Sequence, residues 1–180
     1  VDAVVQGQPD AYRSLQDYEW DYENEDFDEE FSLAEAKEFV EKLRPKHAPR
    51  DYQLDAFVHA IRTRRSLLLS PTASGKSLII YLLTRFLEHR GLKKGLIIVP
   101  TISLVEQLTS DFKDYSEFNG WNVSDNIHKI YQGQEKSSDK FLTISTWQSI
   151  YQLPRKYFAD FDFVIGDEAH QFKAKSLTRS

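Results

Sequence analysis

A chain of 180 residues with 41% apolar and 28% charged side chains can bury a sizeable core, and its composition is that of a globular domain rather than a disordered or fibrous one. It contains no cysteine, which excludes disulfides and thiolate-bound metals, and no apolar run near the ~20 residues that cross a bilayer. The formal charge of −5 conceals an asymmetry: residues 1–30 hold 11 acidic and one basic residue, and residues 31–180 hold 17 acidic and 22 basic. The mildly basic body is compatible with a polyanionic partner, though a solvated mixed surface fits the same charge. The start shows no signal peptide, so a cytoplasmic, membrane-free location is expected. The first residue is Val1 and Met is absent throughout, which reads as a piece of a longer protein.

Residues 1–31 read as an acidic linker or the edge of a missing N-terminal domain. Between Asp17 and Glu30 there are nine carboxylates and no cation, with Tyr18, Trp20, Tyr22 and Phe27 interspersed. Like charge at this density favours an extended, solvated segment, and a basic partner surface is the alternative that would neutralise it. Residues 32–180 are then expected to form one lobe. Ser32-Leu33-Ala34-Glu35 is a capping box. The helix it opens carries Leu33, Ala36, Phe39, Val40 and Leu43 on one face and stops before Pro45. Pro49-Arg50-Asp51-Tyr52-Gln53 leads into a second amphipathic helix with Leu54, Phe57, Val58 and Ile61 inward. Arg62, Arg64 and Arg65 then read as a solvated helix end rather than a nucleic-acid site.

Leu67-Leu68-Leu69 reads as a short strand, followed by Ser70-Pro71-Thr72-Ala73-Ser74-Gly75-Lys76-Ser77 and a helical run to about His89. Strand, tight loop, Gly-Lys-Ser, helix is the layout of a phosphate-binding P-loop. A helix N-terminus has free N–H groups and a positive dipole end, and a loop wrapped ahead of it makes a concave nest for a phosphate. Gly75 allows close backbone approach, Lys76 reaches the β- and γ-phosphates, and the Ser77 hydroxyl is suited to Mg²⁺. Ser70 stands where the usual pattern has glycine, six residues before the lysine.

Gly95-Leu96-Ile97-Ile98-Val99 is a buried parallel strand, ended by Pro100-Thr101, with a helix from about Ser103 to Phe118 burying Leu104, Leu108 and Phe112. Residues 119–126 read as a polar loop, 127–131 as a strand, 132–140 as a second polar loop and 141–145 as another strand. Thr146-Trp147-Gln148-Ser149 starts a short helix, in which Trp147 serves better as core than as a base-stacking platform. A strand at 162–166 feeds Asp167-Glu168-Ala169-His170, which begins 91 residues after Lys76. Asp167 would hold the same Mg²⁺ as Ser77 through water, and Glu168 would orient or deprotonate the attacking water. Lys173 and Lys175, beyond the acidic motif, are candidates to face nucleic acid. Strands alternating with helices define an α/β fold, a parallel sheet with helices on both faces, whose ligands bind beyond the carboxyl ends of the strands.

Several of these motifs, in this order over residues 49–170, resemble those of superfamily 2 helicases of the DEAH type. The resemblance implies a RecA-like P-loop NTPase lobe that uses ATP and Mg²⁺. It implies that Gln53 contacts adenine rather than merely capping its helix. Thr72, Ala73, Ser74, Gly75, Lys76 and Ser77 would bind the phosphates, and Asp167 and Glu168 would act on metal and water. Val99-Pro100-Thr101, with Leu104 and Gln107, and the element ending in Thr146-Trp147-Gln148 are similar to segments that touch the nucleic-acid backbone, making Pro100, Thr101 and Thr146 the candidate contacts. Thr101 as a simple helix cap has nearly the same geometry. His170 would couple nucleotide state to that surface, against the alternative of an ordinary surface histidine.

The implied function is the ATP-binding motor lobe of a DNA helicase or translocase, acting on branched DNA or RNA–DNA hybrids without regard to sequence, in recombination, repair and replication. A Ser-Ala-Thr-like motif III and a second lobe with its arginine finger are missing. Since such an arginine is worth about 10³–10⁵ in rate, the piece by itself is expected to be nearly inactive. The alternatives are the translocase subunit of a restriction system or a remodeller, and a nucleotide-dependent binding module that separates no strands.

Overall fold

The computed structural model describes residues 30–63, 73–130, 135–166 and 171–174. The acidic segment 1–29, Leu67 to Leu69, Ser70 to Thr72, the Asp167 to His170 motif and Lys175 lie outside them. Helix α1 (Leu33–Leu43) is closed by the capping box read from the sequence. The Ser32 hydroxyl accepts the Glu35 N–H at 3.1 Å, and the Glu35 carboxylate accepts the Ser32 N–H at 3.0 Å. The helix ends at Arg44, in the left-handed conformation, just ahead of Pro45. Ala36 and Leu43 are buried and Phe39 and Val40 pack at the core margin, but Leu33 is 40% exposed, so the apolar stripe is narrower than its spacing suggested.

Helix α2 (Asp51–Thr63) buries Leu54, Phe57, Val58 and Ile61 as expected. Helix α3 (Ala73–His89) is apolar around most of its circumference from Leu78 to Leu83. Such a helix needs cover on several sides, and α2 and the later helix α4 (Ile102–Tyr115) supply it. It begins at Ala73, so Gly75, Lys76 and Ser77 lie inside its first turns rather than in a loop ahead of it. A single glycine this close to a helix start costs too little to delay it.

The sheet has the order β2-β3-β1-β4-β5. Strands β1 (Gly95–Val99), β2 (Ile127–Ile130), β3 (Leu142–Thr146) and β4 (Phe163–Gly166) are parallel. Strand β5 (Gln171–Ala174) runs antiparallel to β4. The parallel core is as expected; β5 is an addition that four residues of mixed character did not announce. Residues of β1 and β3 are buried without interruption, the mark of strands covered on both faces. The starts of β1 and β4 are tied together by the Asp162 carboxylate, which accepts the N–H groups of Lys93 and Lys94. Gly95 is needed there because any Cβ would collide with the Phe163 ring beside it.

Helix α4 (Ile102–Tyr115) ends three residues earlier than expected and leaves Phe118 53% exposed. One-turn helices α5 (Val123–Asn126), α6 (Trp147–Ile150) and α7 (Arg155–Ala159) complete the described elements, and α5 falls within the stretch read as a loop. Alternation along β1 divides the core. Ile97 and Val99 join the large cluster under α1 to α4, while Leu96 and Ile98 join a smaller one with Trp147, Ile150, Phe158 and Phe161 under α6 and α7.

Candidate nucleotide site and strand-end surface

Two neighbourhoods hold the described candidate residues. The first forms where α2 and α4 meet the start of α3. The Gln53 carbonyl oxygen accepts the Arg50 N–H at 2.7 Å, and its amide group donates to the Gly75 carbonyl at 3.1 Å. Gln53 is only 6% exposed, so one side chain both caps its own helix and grips the first turn of α3. Tyr52 lies across the same turn: a Cβ on Gly75 would sit 2.6 Å from its hydroxyl, the far end of an exposed side chain that would have to shift. Lys76 is half-buried. The Ser77 hydroxyl, nearly buried, is 2.6 Å from the Tyr115 hydroxyl. Burial pushes the Tyr115 phenol above its usual pKa, with the hydrogen bond from Ser77 opposing and Asp111 and Asp114 adding to the shift.

The first N–H groups of α3, those of Ala73, Ser74 and Gly75, have no acceptor within the helix. With the Lys76 ammonium they form a donor set that fits a phosphate. For a metal, no group of three or more His, Asp or Glu side chains is gathered among the described residues. Mg²⁺ uses one or two protein ligands plus substrate phosphates and water. Ser77 has the right chemistry for one of them, with its hydroxyl currently shared with Tyr115.

The second neighbourhood is the carboxyl edge of the sheet. Val99 is level with Thr146, and Ile98 with Gly166, so Pro100, Thr101 and Gly166 share that edge. Thr101 is exposed and its hydroxyl accepts the Leu104 N–H at 3.2 Å, making it the cap of α4. Ile102 beside it is 46% exposed. Thr146 is 3% exposed and its hydroxyl pairs with Ser149 at 2.7 Å, so this candidate contact is turned into the fold, unlike Thr101. Trp147 is core, 1% exposed against Phe158. Arg62 is exposed in the last turn of α2, and Lys173 belongs to β5.

Gln53, Gly75 and Ser77 are thus brought together, while Thr101 and Thr146 belong to the sheet edge. Thr72, Asp167, Glu168 and His170 fall outside the described residues. Sequence reasoning missed Tyr52 and Tyr115. Tyr52 adjoins Gln53 and could have been flagged by that; Tyr115, 38 residues from Ser77, carries no local signal.

An α/β lobe of this topology, with a lysine-bearing helix start and strand ends carrying an acidic motif, is a RecA-like nucleotide-binding fold. The chain belongs to the family described as type III restriction enzyme, res subunit, whose model matches residues 46–180. It is similar to the ATP-dependent DNA helicase uvsW of Enterobacteria phage T4, with 34% identity over 157 residues, 85% of this chain and 30% of that protein. It is 24% identical over 136 residues to the DNA 3'-5' translocase XPB2 of Sulfurisphaera tokodaii, covering 76% of this chain and 28% of the translocase. A crystal structure of T4 UvsW superposes with a TM-score of 0.69 at 31% identity, covering 91% of this chain and 34% of that one. A second UvsW helicase crystal structure gives the same TM-score and identity over 90% of this chain and 60% of that one. The chain therefore spans less than a third of the curated relatives' length. Among the described residues no helix is long and apolar enough to cross a membrane.

Proposed function

We propose that residues 32–180 form the ATP-binding motor lobe of an ATP-dependent DNA helicase or translocase, with a second lobe elsewhere in a longer parent chain and residues 1–31 as an acidic linker. The observation that carries this is the family match over 46–180, which takes in Gln53, the Gly75-Lys76-Ser77 element and Asp167 in a single alignment. The similarity to a phage DNA helicase and an archaeal DNA translocase supports DNA as the polyanion. Branched DNA or an RNA–DNA hybrid is the finer proposal, as is an intracellular setting, a host cytoplasm if the source is a phage.

In this reading, bound MgATP supplies the transferable γ-phosphoryl group and the charge-neutralising cation. Lys76 and the first N–H groups of α3 hold the phosphates, and Gln53 contributes to recognition of the base. Ser77 and Asp167 serve the metal, Glu168 orients water, and His170 links the site to the DNA surface. Pro100 and Thr101 touch the DNA backbone, with Thr146 supporting that edge. Catalysis here is positioning and electrostatics, so removing the lysine charge acts mainly on phosphate affinity and rate.

Calorimetric titration of the chain with MgATP tests the reading: wild type binds, and Lys76→Ala weakens binding by tenfold or more (~1.4 kcal/mol or above). Equal affinity in the two proteins overturns it. DNA binding should weaken steeply with salt and be indifferent to sequence. The family description itself favours one other reading, the translocase subunit of a restriction system. A parent protein that moves along duplex DNA without separating strands would select it.

A further inference from the structure

The far end of α3 carries a cleft that neither the nucleotide site nor the strand-end surface uses. It lies between α1, the last turns of α3 and Trp121, and its volume is about 520 Å³, within the roughly 300–1,000 Å³ of ligand pockets. Its floor is aromatic: Phe31 and Phe39 stand 4.8 and 5.2 Å from Phe86, and Trp121 closes one side. The charges around it are unequally committed. Glu35 is held by the Ser32 cap, Glu38 by Lys42 at 3.5 Å, and Glu88 by Arg85 and the Trp121 indole N–H. Arg90 and His89 face rings instead, Arg90 over Phe86 at 5.2 Å and His89 beside Phe39 at 5.6 Å. The cleft thus offers an aromatic floor beneath an arginine that has no carboxylate partner among the described residues. That chemistry fits an acidic peptide carrying aromatic side chains. The chain itself supplies one at the cleft's mouth. Phe31, part of the floor and 3% exposed, is the second described residue. The sequence before it, Tyr22-Glu23-Asn24-Glu25-Asp26-Phe27-Asp28-Glu29-Glu30, holds two rings, six carboxylates and no cation. Phe27 is four residues from Phe31, a reach of at most about 14 Å, so its ring arrives with almost no loop to close.

We propose that this cleft is the docking site of the chain's own acidic segment: the Phe27 ring rests on the floor formed by Phe31, Phe39 and Phe86, with its flanking carboxylates toward Arg90 and His89. A separate acidic peptide meets the cleft only at its bulk concentration, whereas a tethered one meets it at an effective concentration of about millimolar. The inference stands independently of the nucleotide site and goes beyond the linker reading of residues 1–31. The acidic stretch becomes a strap that fixes where the preceding chain leaves the lobe.

The test uses the whole 180-residue chain, whose lack of cysteine makes an engineered pair unambiguous. Asn24→Cys is combined with Glu38→Cys on the cleft rim, or with Gln148→Cys, an exposed position on the opposite face of the sheet. In dilute protein under mild oxidation the rim pair should close an intramolecular disulfide at least about tenfold faster than the control pair. Adding Phe27→Ala should remove most of that advantage. Equal rates for the two pairs overturn the proposal, and so does a rim-pair rate that Phe27→Ala leaves unchanged, which would reflect the tether alone. A disulfide-linked dimer in place of the intramolecular bond assigns the cleft to a second copy and overturns docking in the same chain. Acrylamide quenching in a Trp20→Phe background reads the cleft without any cysteine, because Trp147 is buried and Trp121 is half-buried on its wall. Phe27→Ala should increase the quenching, and unchanged quenching overturns the proposal.

Discussion

The two faces of the sheet are built differently. Under α1 to α4 lies a thick aromatic cluster in which Phe57 meets Phe31, Phe39 and Phe86 at ring-centroid distances of 5.6–6.1 Å. Under α6 and α7 lies a thinner one, capped by helices of four and five residues, in which Trp147 and Phe158 do most of the filling. The thick side holds every described residue of the candidate phosphate-binding turn, and the thin side supports the end of β3 that carries Thr146. The lesson is that the helix proposed to grip a nucleotide is anchored by deep packing, while the end of β3 that carries Thr146 rests on short elements that can shift at small cost.

Cutting into the thick face should therefore have the largest effect. Phe57→Ala removes a ring with no exposed surface from the centre of four packed aromatics. It should cost about 3–5 kcal/mol in urea unfolding. Ile150→Val, deleting one methylene beneath α6, should cost only about 0.5–1.5 kcal/mol. Similar losses for the two would mean the faces are equally committed to stability, and the contrast would fall.

A substitution at the seam sharpens the same contrast. Gly95 begins β1 against the Phe163 ring, which belongs to the thick cluster. Gly95→Ala should destabilise by about 1–3 kcal/mol through overpacking, although alanine is ordinarily the better residue for chain entropy. Pairing it with Phe163→Leu should recover part of the loss, measured by the shift in urea midpoint. No recovery would mean the strain lies in the backbone rather than the ring.

These contrasts follow how legible the chain was. The capping box at Ser32, the inward face of α2 and the parallel strands at 95–99 and 163–166 could be read because each is encoded by spacing within a few residues. The phosphate motif was legible as a motif, but the start of its helix was not, because one glycine weakly opposes the apolar run behind it. Leu33 lies by its spacing on an apolar face that ends sooner than the pattern, and the helix expected to reach Phe118 stops at Tyr115. The burial of Thr146 and the pairing of Ser77 with Tyr115 depend on how elements dozens of residues apart come to rest, for which the local sequence holds no sign.

The smallest expected effect lies where the thick face is fastened to the segment entering α2. Lys46 bonds Asp114 at 3.2 Å and Glu117 at 2.8 Å, and His47 bonds Asp114 at 2.7 Å. The hydrogen bond from His47, then that from Lys46, lowers the Asp114 pKa below the ordinary carboxylate range, and Glu117 and Asp114 raise that of Lys46. A depressed carboxylate binds protons more readily unfolded than folded. Its contribution is therefore present at neutral pH and fades as pH falls through the folded-state value. The raised lysine contributes in the same neutral window and fades only as pH rises through its own folded-state value. The Asp114 side chain is 44% exposed, so water screens the cluster and Asp114→Asn should cost under about 1 kcal/mol at neutral pH. The difference in urea midpoint between wild type and variant should shrink on acidification below the carboxylate range, and with added salt. A difference that persists undiminished in acid would show that the substitution disturbs packing instead, and that the fastening owes nothing to charge.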